Sequence, residues 1–252
     1  MRPKFLWLIG IEGSGHHLIR DVLRDFLVRP EVVDKGSYYP LLIQRWDDQQ
    51  KPLPQPAVRR LNKEIFDDYK ARECSHFYED TSFPFGDVEK PFSRYVAGGS
   101  HRGPGRHPRI GDLLELMEGL VDFRILVISR SPLATVRSTL RRGFSNDLEF
   151  ECHLAESIHS YLSEELRRLP SRLYRTCQYD DWIANPKALV QPLADWWEIE
   201  PELIAGGIAR IRPPSSKDPL PPDEGAFLKD YFSEGCLAQW LDVYQANPLV
   251  IP

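Results

Sequence analysis

Residues 5–18 read Phe-Leu-Trp-Leu-Ile-Gly-Ile-Glu-Gly-Ser-Gly-His-His-Leu. The apolar run is broken by glycines at 10, 13 and 15. It continues into Leu18, Ile19, Val22, Leu23, Phe26 and Leu27, a helical stripe over residues 17–28. This order predicts a buried strand, a tight turn, and a helix that opens directly from the turn. Such a turn presents unpaired backbone N–H groups and the positive end of a helix dipole, so it can hold a phosphate. Its glycines let the backbone approach an anion closely, in conformations denied to other residues.

Outward from this stretch, strands and helices alternate. Phe123–Ser129 (Phe-Arg-Ile-Leu-Val-Ile-Ser) is the strongest internal strand. A helix from about Pro132 to Arg142 follows, with its proline near the first turn, where a missing N–H is harmless. Shorter strands are expected at His76–Glu79, ending at Asp80, at Ser93–Gly98 and at Leu173–Tyr179; helices are expected at 65–72, 111–120, 147–169 and 187–197. The alternation predicts an α/β, P-loop-type three-layer fold, with a central mostly parallel sheet flanked by helices. Residues 30–60, rich in Pro, Gln and Asp, read as a surface excursion. Its Tyr38, Tyr39 and Trp46 either pack onto the body or line a substrate mouth. Pro213–Asp223, with five prolines, reads as a loop rather than a domain boundary, so residues 1–252 are expected to form one domain.

The 252 residues, 42% hydrophobic, suffice for one sizeable core. A formal net charge of −5 argues against a nucleic-acid partner, while leaving room for a local basic pocket. Cys74, Cys152, Cys177 and Cys236 lie far apart without a C-x-x-C pair. That pattern lacks metal-ligand spacing and argues against a disulfide framework, so a reduced, cytoplasmic setting is expected. The N-terminal apolar run is too short for a membrane span and lacks a small-residue cleavage site. No membrane partner is expected, and a homodimer is left open.

Two motifs carry chemistry. In the first, Gly10-x-x-x-x-Gly15-His16-His17, the spacing is that of a P-loop whose Lys-Ser/Thr pair is replaced by two histidines. Nucleoside triphosphatases use that lysine on the terminal phosphates and that hydroxyl on magnesium; neutral imidazoles do neither job well. A phosphate-binding turn is therefore expected, but not an ordinary ATPase. The second motif is Ser129-Arg130-Ser131-Pro132-Leu133-Ala134-Thr135-Val136-Arg137-Ser138. Arg130 stands where the strand ends and Ser138 two turns into the helix. A guanidinium fork and a hydroxyl are suitable donors for a phosphate.

In these residues the sequence resembles the family of sulfotransferases that use PAPS, 3′-phosphoadenosine 5′-phosphosulfate. The family's 5′-phosphosulfate loop, a basic residue followed by Ser-Gly-Thr-Thr, looks like Gly13-Ser14-Gly15-His16-His17. Its 3′-phosphate motif, an arginine and a serine eight positions on, is similar to Arg130 and Ser138. A third stretch, Tyr179-Asp180-Asp181-Trp182-Ile183-Ala184-Asn185-Pro186, followed by an apolar helix ending in Trp196-Trp197-Glu198-Ile199, resembles the family's Tyr-Glu-Asp-Leu…Pro segment. Together the three span residues 5–199, about four fifths of the chain.

The resemblance implies transfer of a sulfuryl group from PAPS to a hydroxyl or amine of a small-molecule or carbohydrate acceptor, leaving adenosine 3′,5′-bisphosphate. It also exposes departures. The family's basic residue falls on Gly13, and its two threonines fall on His16 and His17. A leaving phosphate needs positive charge or strong donors against it. His16, His17 or Arg20 is placed to supply this; alternatively the histidines only cap the turn or pack. For the general base, the family implies either a histidine at a strand end, which here is His101, or an earlier carboxylate, which here is Glu79 or Asp80. Arg212, Ser216 and Lys217 match the family's basic C-terminal loop by position and charge, and are candidates to clamp phosphate. His153, His159 and the charge run Glu164–Arg168 are expected on the solvated face of a helix.

Two other readings stay open at this point. One is a nucleotide kinase-like enzyme using the Gly10–Gly15 loop with ATP and magnesium. The other is a non-catalytic nucleotide-binding protein, for which Gly13 argues.

Overall fold

Strand β1 (Lys4–Gly10) is buried at every position, and its side chains divide between two cores. Phe5, Trp7 and Ile9 face one side of the sheet; Leu6 and Leu8 face the other. This is the two-residue period of a strand covered on both faces. The structure is a computed structural model that describes residues 2–11, 13–15, 18, 22, 55–71, 76–82, 110–142, 147–208, 211, 221–232, 240, 242 and 245–249.

Within them the order is β1, α1 (Gln55–Ala71), β2 (His76–Ser82), α2 (Ile110–Met117), β3 (Asp122–Ser129), α3 (Pro132–Arg141), α4 (Leu148–Arg168), β4 (Tyr174–Gln178), α5 (Tyr179–Ala184), α6 (Val190–Trp197), α7 (Pro201–Ile208) and α8 (Pro222–Tyr231). The sheet runs β2-β1-β3-β4, and every pairing is parallel. Phe66 of α1, Met117 of α2, Val136 of α3, Leu162 of α4 and Leu228 of α8 join one core. Trp182 of α5, Leu193 and Trp197 of α6, and Ile204 of α7 form the other. The layers are thus helix, parallel sheet and helix, as the alternation of elements implies.

Several boundaries differ from the expected ones. Helix α1 starts at Gln55, inside the 30–60 stretch read as an excursion. Its Pro56 lies in the first turn, where proline costs no hydrogen bond, so composition there mimics a loop. Strand β2 continues past Asp80 to Ser82. The 187–197 helix begins as a 3₁₀ turn over Pro186–Leu189 before α6. Pro222 and Asp223, placed in the proline-rich loop, open α8. The strand expected at Ser93–Gly98 lies outside the described residues.

The charge run on α4 is not wholly solvated. Glu165 is buried and accepts a hydrogen bond from the Ile110 N–H at 3.0 Å, at the start of α2. A carboxylate there meets orphan donors and the positive end of a helix, which offsets its desolvation. His159 stacks on the Trp240 ring, centroids 4.1 Å apart, while His153 bonds the Tyr231 hydroxyl at 2.8 Å. At the far end of α2, Arg59 donates to the carbonyls of Glu115 and Glu118, closing the helix C-terminus. Lys4, at the start of β1, donates to Trp197 O at 3.0 Å and to the Glu198 carboxylate at 3.1 Å. The bond and charge of Lys4 hold the Glu198 carboxyl below its ordinary pKa.

Cys152 and Cys177 are free and buried. Burial, reinforced by neighbouring carboxylates, lifts the Cys152 thiol to about 12 and moves Cys177 strongly upward. Neither is a nucleophile at neutral pH.

Adjacent glycines in α7 offer a test of the packing. A Cβ at Gly206 meets nothing, whereas one at Gly207 would stand 2.0 Å from the Val22 carbonyl oxygen. Gly206→Ala is expected to stabilise by about 0.4–1 kcal/mol through helix propensity and chain entropy. Gly207→Ala is expected to destabilise by about 1–3 kcal/mol through overpacking. Denaturant midpoints of the two variants check the sign of each.

Candidate active site at the C-terminal edge of the sheet

Because the strands are parallel, their C-terminal ends share one edge. Gly10 is level with Ile128 of β3 and Ser82 of β2, and Ser129 pairs with Gln178 of β4. The residues that follow these ends therefore converge: the 11–15 turn, Arg130 and Tyr179. In open α/β sheets this edge is where ligands bind.

The turn is tight. The Ser14 N–H donates to Ile11 O at 2.8 Å, and the Leu18 N–H to Gly15 O at 2.9 Å. Gly13 and Gly15 hold φ of +88° and +91°, which side chains strongly disfavour. Both also lie against neighbours. A Cβ at Gly13 would stand 2.6 Å from Thr135 O and 3.3 Å from Ser138 Cβ; one at Gly15 would stand 2.3 Å from Tyr179 Cδ2. Ser14 between them is buried. The structure thus brings Gly13, Ser14, Gly15 and Ser138 together, as the motifs imply.

Arg130 is pinned between β3 and α3. Ser131 caps the helix by accepting from the Ala134 N–H at 3.2 Å, and Pro132 begins it. The Arg130 side chain lies across the turn, with Nη1 donating to Gly13 O at 3.2 Å. Its guanidinium carbon sits 4.4 Å from the centroid of the Tyr179 ring. The residue is 8% exposed, and its buried Nε has no hydrogen-bond partner among the described residues. Burying a guanidinium with an idle donor costs several kcal/mol unless an acceptor meets it. One helical turn before the end of α3, Arg137 carries buried Nε and Nη2 atoms in the same condition. The acids beside Tyr179 are Asp180 and Asp181. Burial, then its neighbour's charge, holds the Asp181 carboxyl above its ordinary pKa.

Glu79 and Asp80 lie within β2, opposite Trp7 and Leu8, three and two positions before Ser82 at the sheet edge. His16, His17, Arg20, His101, Arg212, Ser216 and Lys217 lie outside the described residues. Arg137 and Tyr179 stand in the quoted motifs without an individual role there. Trp240 joins the site through its indole N–H, which donates to Arg130 O at 3.2 Å. The expected Leu173–Tyr179 strand takes in Tyr179, which instead opens α5; nothing in the chain marks Trp240. Among the described residues, no group of three or more His, Cys, Asp or Glu is arranged to hold a metal ion. No helix among them is long and apolar enough to cross a membrane.

A phosphate group fits this arrangement: a glycine turn at a strand end, a hydroxyl on α3, and a buried guanidinium whose Nε has no partner among the described residues. Comparison with family models and with curated sequences finds no match. Among solved structures, the chain is similar to a sulfotransferase from Alicyclobacillus acidocaldarius, at 13% identity and a TM-score of 0.52, covering 98% of this chain and 95% of that one. It is also similar to the sulfotransferase domain of the Synechococcus PCC 7002 olefin synthase (16% identity, TM-score 0.48, 95% of this chain and 88% of that one). A third similar structure is the sulfotransferase domain from the curacin biosynthetic pathway (17% identity, TM-score 0.46, 99% and 95%). The likeness to the Alicyclobacillus structure is one of fold: this chain has the sulfotransferase α/β fold, that of the proteins its motifs resemble.

Proposed function

We propose that the protein is a PAPS-dependent sulfotransferase acting on a hydroxyl or amine of a small-molecule or carbohydrate acceptor. The observation that carries this reading is Arg130, buried at the C-terminal edge of the sheet, bonded to the glycine turn and holding an Nε donor with no partner among the described residues. When bound, PAPS supplies the sulfuryl group, which transfers as the acceptor atom bonds to sulfur and the S–O bond to the 5′-phosphate breaks.

The chain's own residues divide the remaining work. The 13–15 turn receives the 5′-phosphosulfate on its glycine N–H groups, the Ser14 N–H being engaged by Ile11 O. Arg130 and Ser138 receive the 3′-phosphate. A side chain at Gly13 would run into the Thr135 carbonyl, so this position cannot host the family's basic residue. Positive charge against the leaving phosphate then falls to His16, His17 or Arg20. The acceptor's proton passes to His101, or else to Glu79 or Asp80. Arg212, Ser216 and Lys217 close over the nucleotide. Single alanine variants at His101, Glu79 and Asp80 identify the base as the one that lowers turnover while nucleotide affinity holds.

The reading is tested by incubating the protein with PAPS and a panel of hydroxyl and amine acceptors in excess chelator. Release of adenosine 3′,5′-bisphosphate with an acceptor, undiminished by the chelator, is the expected result. The chemistry needs no magnesium-held phosphate, and position 17 lacks a magnesium-holding hydroxyl. Strict dependence on magnesium and ATP would overturn the proposal in favour of a kinase-like enzyme. Nucleotide binding with no turnover on any acceptor would favour a non-catalytic binder.

A further inference from the structure

The Tyr179 ring touches both halves of the proposed nucleotide site. Its Cδ2–Cε2 edge lies against Gly15, where an added Cβ would come within 2.3 and 2.4 Å of those two atoms. Its face carries the Arg130 guanidinium, 4.4 Å from the centroid. Arg130 in turn donates to Gly13 O, two residues from Gly15. Ring, guanidinium and turn therefore form one closed set of contacts.

Among the described residues the Arg130 guanidinium makes one hydrogen bond, to a carbonyl, and that bond alone leaves rotation about its long side chain open. An aromatic face restricts it to a plane parallel to the ring, so its edge donors point in fixed directions. Pre-orientation of this kind strengthens binding because less side-chain entropy is lost when an anion arrives. Position 179 suits the task. It is the first residue of α5, directly after β4, and β4 pairs with the strand that delivers Arg130.

We infer that Tyr179 is a positioning residue: its ring fixes the Arg130 fork for the nucleotide 3′-phosphate and seats it against the glycine turn. This rests on the proposed PAPS reading, and assigns Tyr179 a role that needs the ring and not the hydroxyl.

The test is the ratio of dissociation constants for adenosine 5′-monophosphate and adenosine 3′,5′-bisphosphate, measured calorimetrically on the full chain and on Tyr179→Phe and Tyr179→Leu. The wild type is expected to prefer the bisphosphate. Tyr179→Phe is expected to keep that preference, and Tyr179→Leu to lower it about 3–30-fold, the range of cation–π contacts from exposed to desolvated. A side chain with a merely structural role would weaken both nucleotides alike and leave the ratio unmoved. An unchanged ratio in Tyr179→Leu overturns the inference alone, as does a Phe variant that behaves like Leu. A wild type without any preference overturns the PAPS reading and the inference together.

Should Tyr179→Leu fail to fold, the unsubstituted protein still decides. Ring currents are expected to move the Arg130 Nε–H proton resonance upfield, with Arg130→Lys used for its assignment. An unshifted resonance overturns the inference.

Discussion

Arg130→Ala is expected to weaken adenosine 3′,5′-bisphosphate binding about 10–150-fold while leaving adenosine 5′-monophosphate affinity nearly unchanged. The factor corresponds to about 1.5–3 kcal/mol, the range of a hydrogen bond to a charged group. The melting temperature is expected to move far less. Removing the side chain frees Gly13 O from its donor and uncovers one face of Tyr179, which destabilises. It also removes a buried cation whose Nε has no partner among the described residues, which stabilises. The indole bond from Trp240 goes to the backbone carbonyl of residue 130 and survives the substitution. Equal loss of both nucleotides would mean that Arg130 supports the turn rather than the 3′-phosphate.

Gly13→Ala is expected to destabilise the fold by about 2–5 kcal/mol, with loss of nucleotide binding. Two independent costs add. A side chain in the left-handed region at φ +88° costs about 1–2 kcal/mol. Overpacking against α3 adds about 1–3 kcal/mol. The atom met at 2.6 Å is the Thr135 backbone oxygen, which cannot rotate away as a flexible side chain would. Moving it means moving α3, and with it Ser138. Urea unfolding of the variant beside Gly111→Ala checks this, because a Cβ at Gly111 meets nothing. Matching midpoints would show that the turn relaxes without disturbing α3.

The parts of this molecule readable from its chain were those dictated by local order. An apolar run and glycines follow one another in sequence, so strand β1 and the tight turn after it need no knowledge of the rest of the fold. Arg130 was legible for the same reason: it lies between a strongly apolar strand and a proline-started helix. The sheet order β2-β1-β3-β4 was not legible, because it is fixed by long-range packing. Glu165 belongs to a run of charges that periodicity assigns to solvent, yet the N-terminus of α2 draws it inward. The beginning of α1 was hidden by proline and glutamine, residues that a helix tolerates in its first turn. Within the site, Tyr179 and Trp240 arrive from elements distant in sequence, and the Tyr179 contact with Arg130 exists only once β3 and β4 are paired.

Calorimetric titration of the unsubstituted protein with adenosine 3′,5′-bisphosphate and adenosine 5′-monophosphate most directly tests whether this edge of the sheet is built for a 3′-phosphorylated nucleotide. Binding of the bisphosphate at least about tenfold tighter is the expected result, since a charge-assisted contact to the second phosphate is worth at least that much. Equal affinity for the two, or binding of neither, would contradict it.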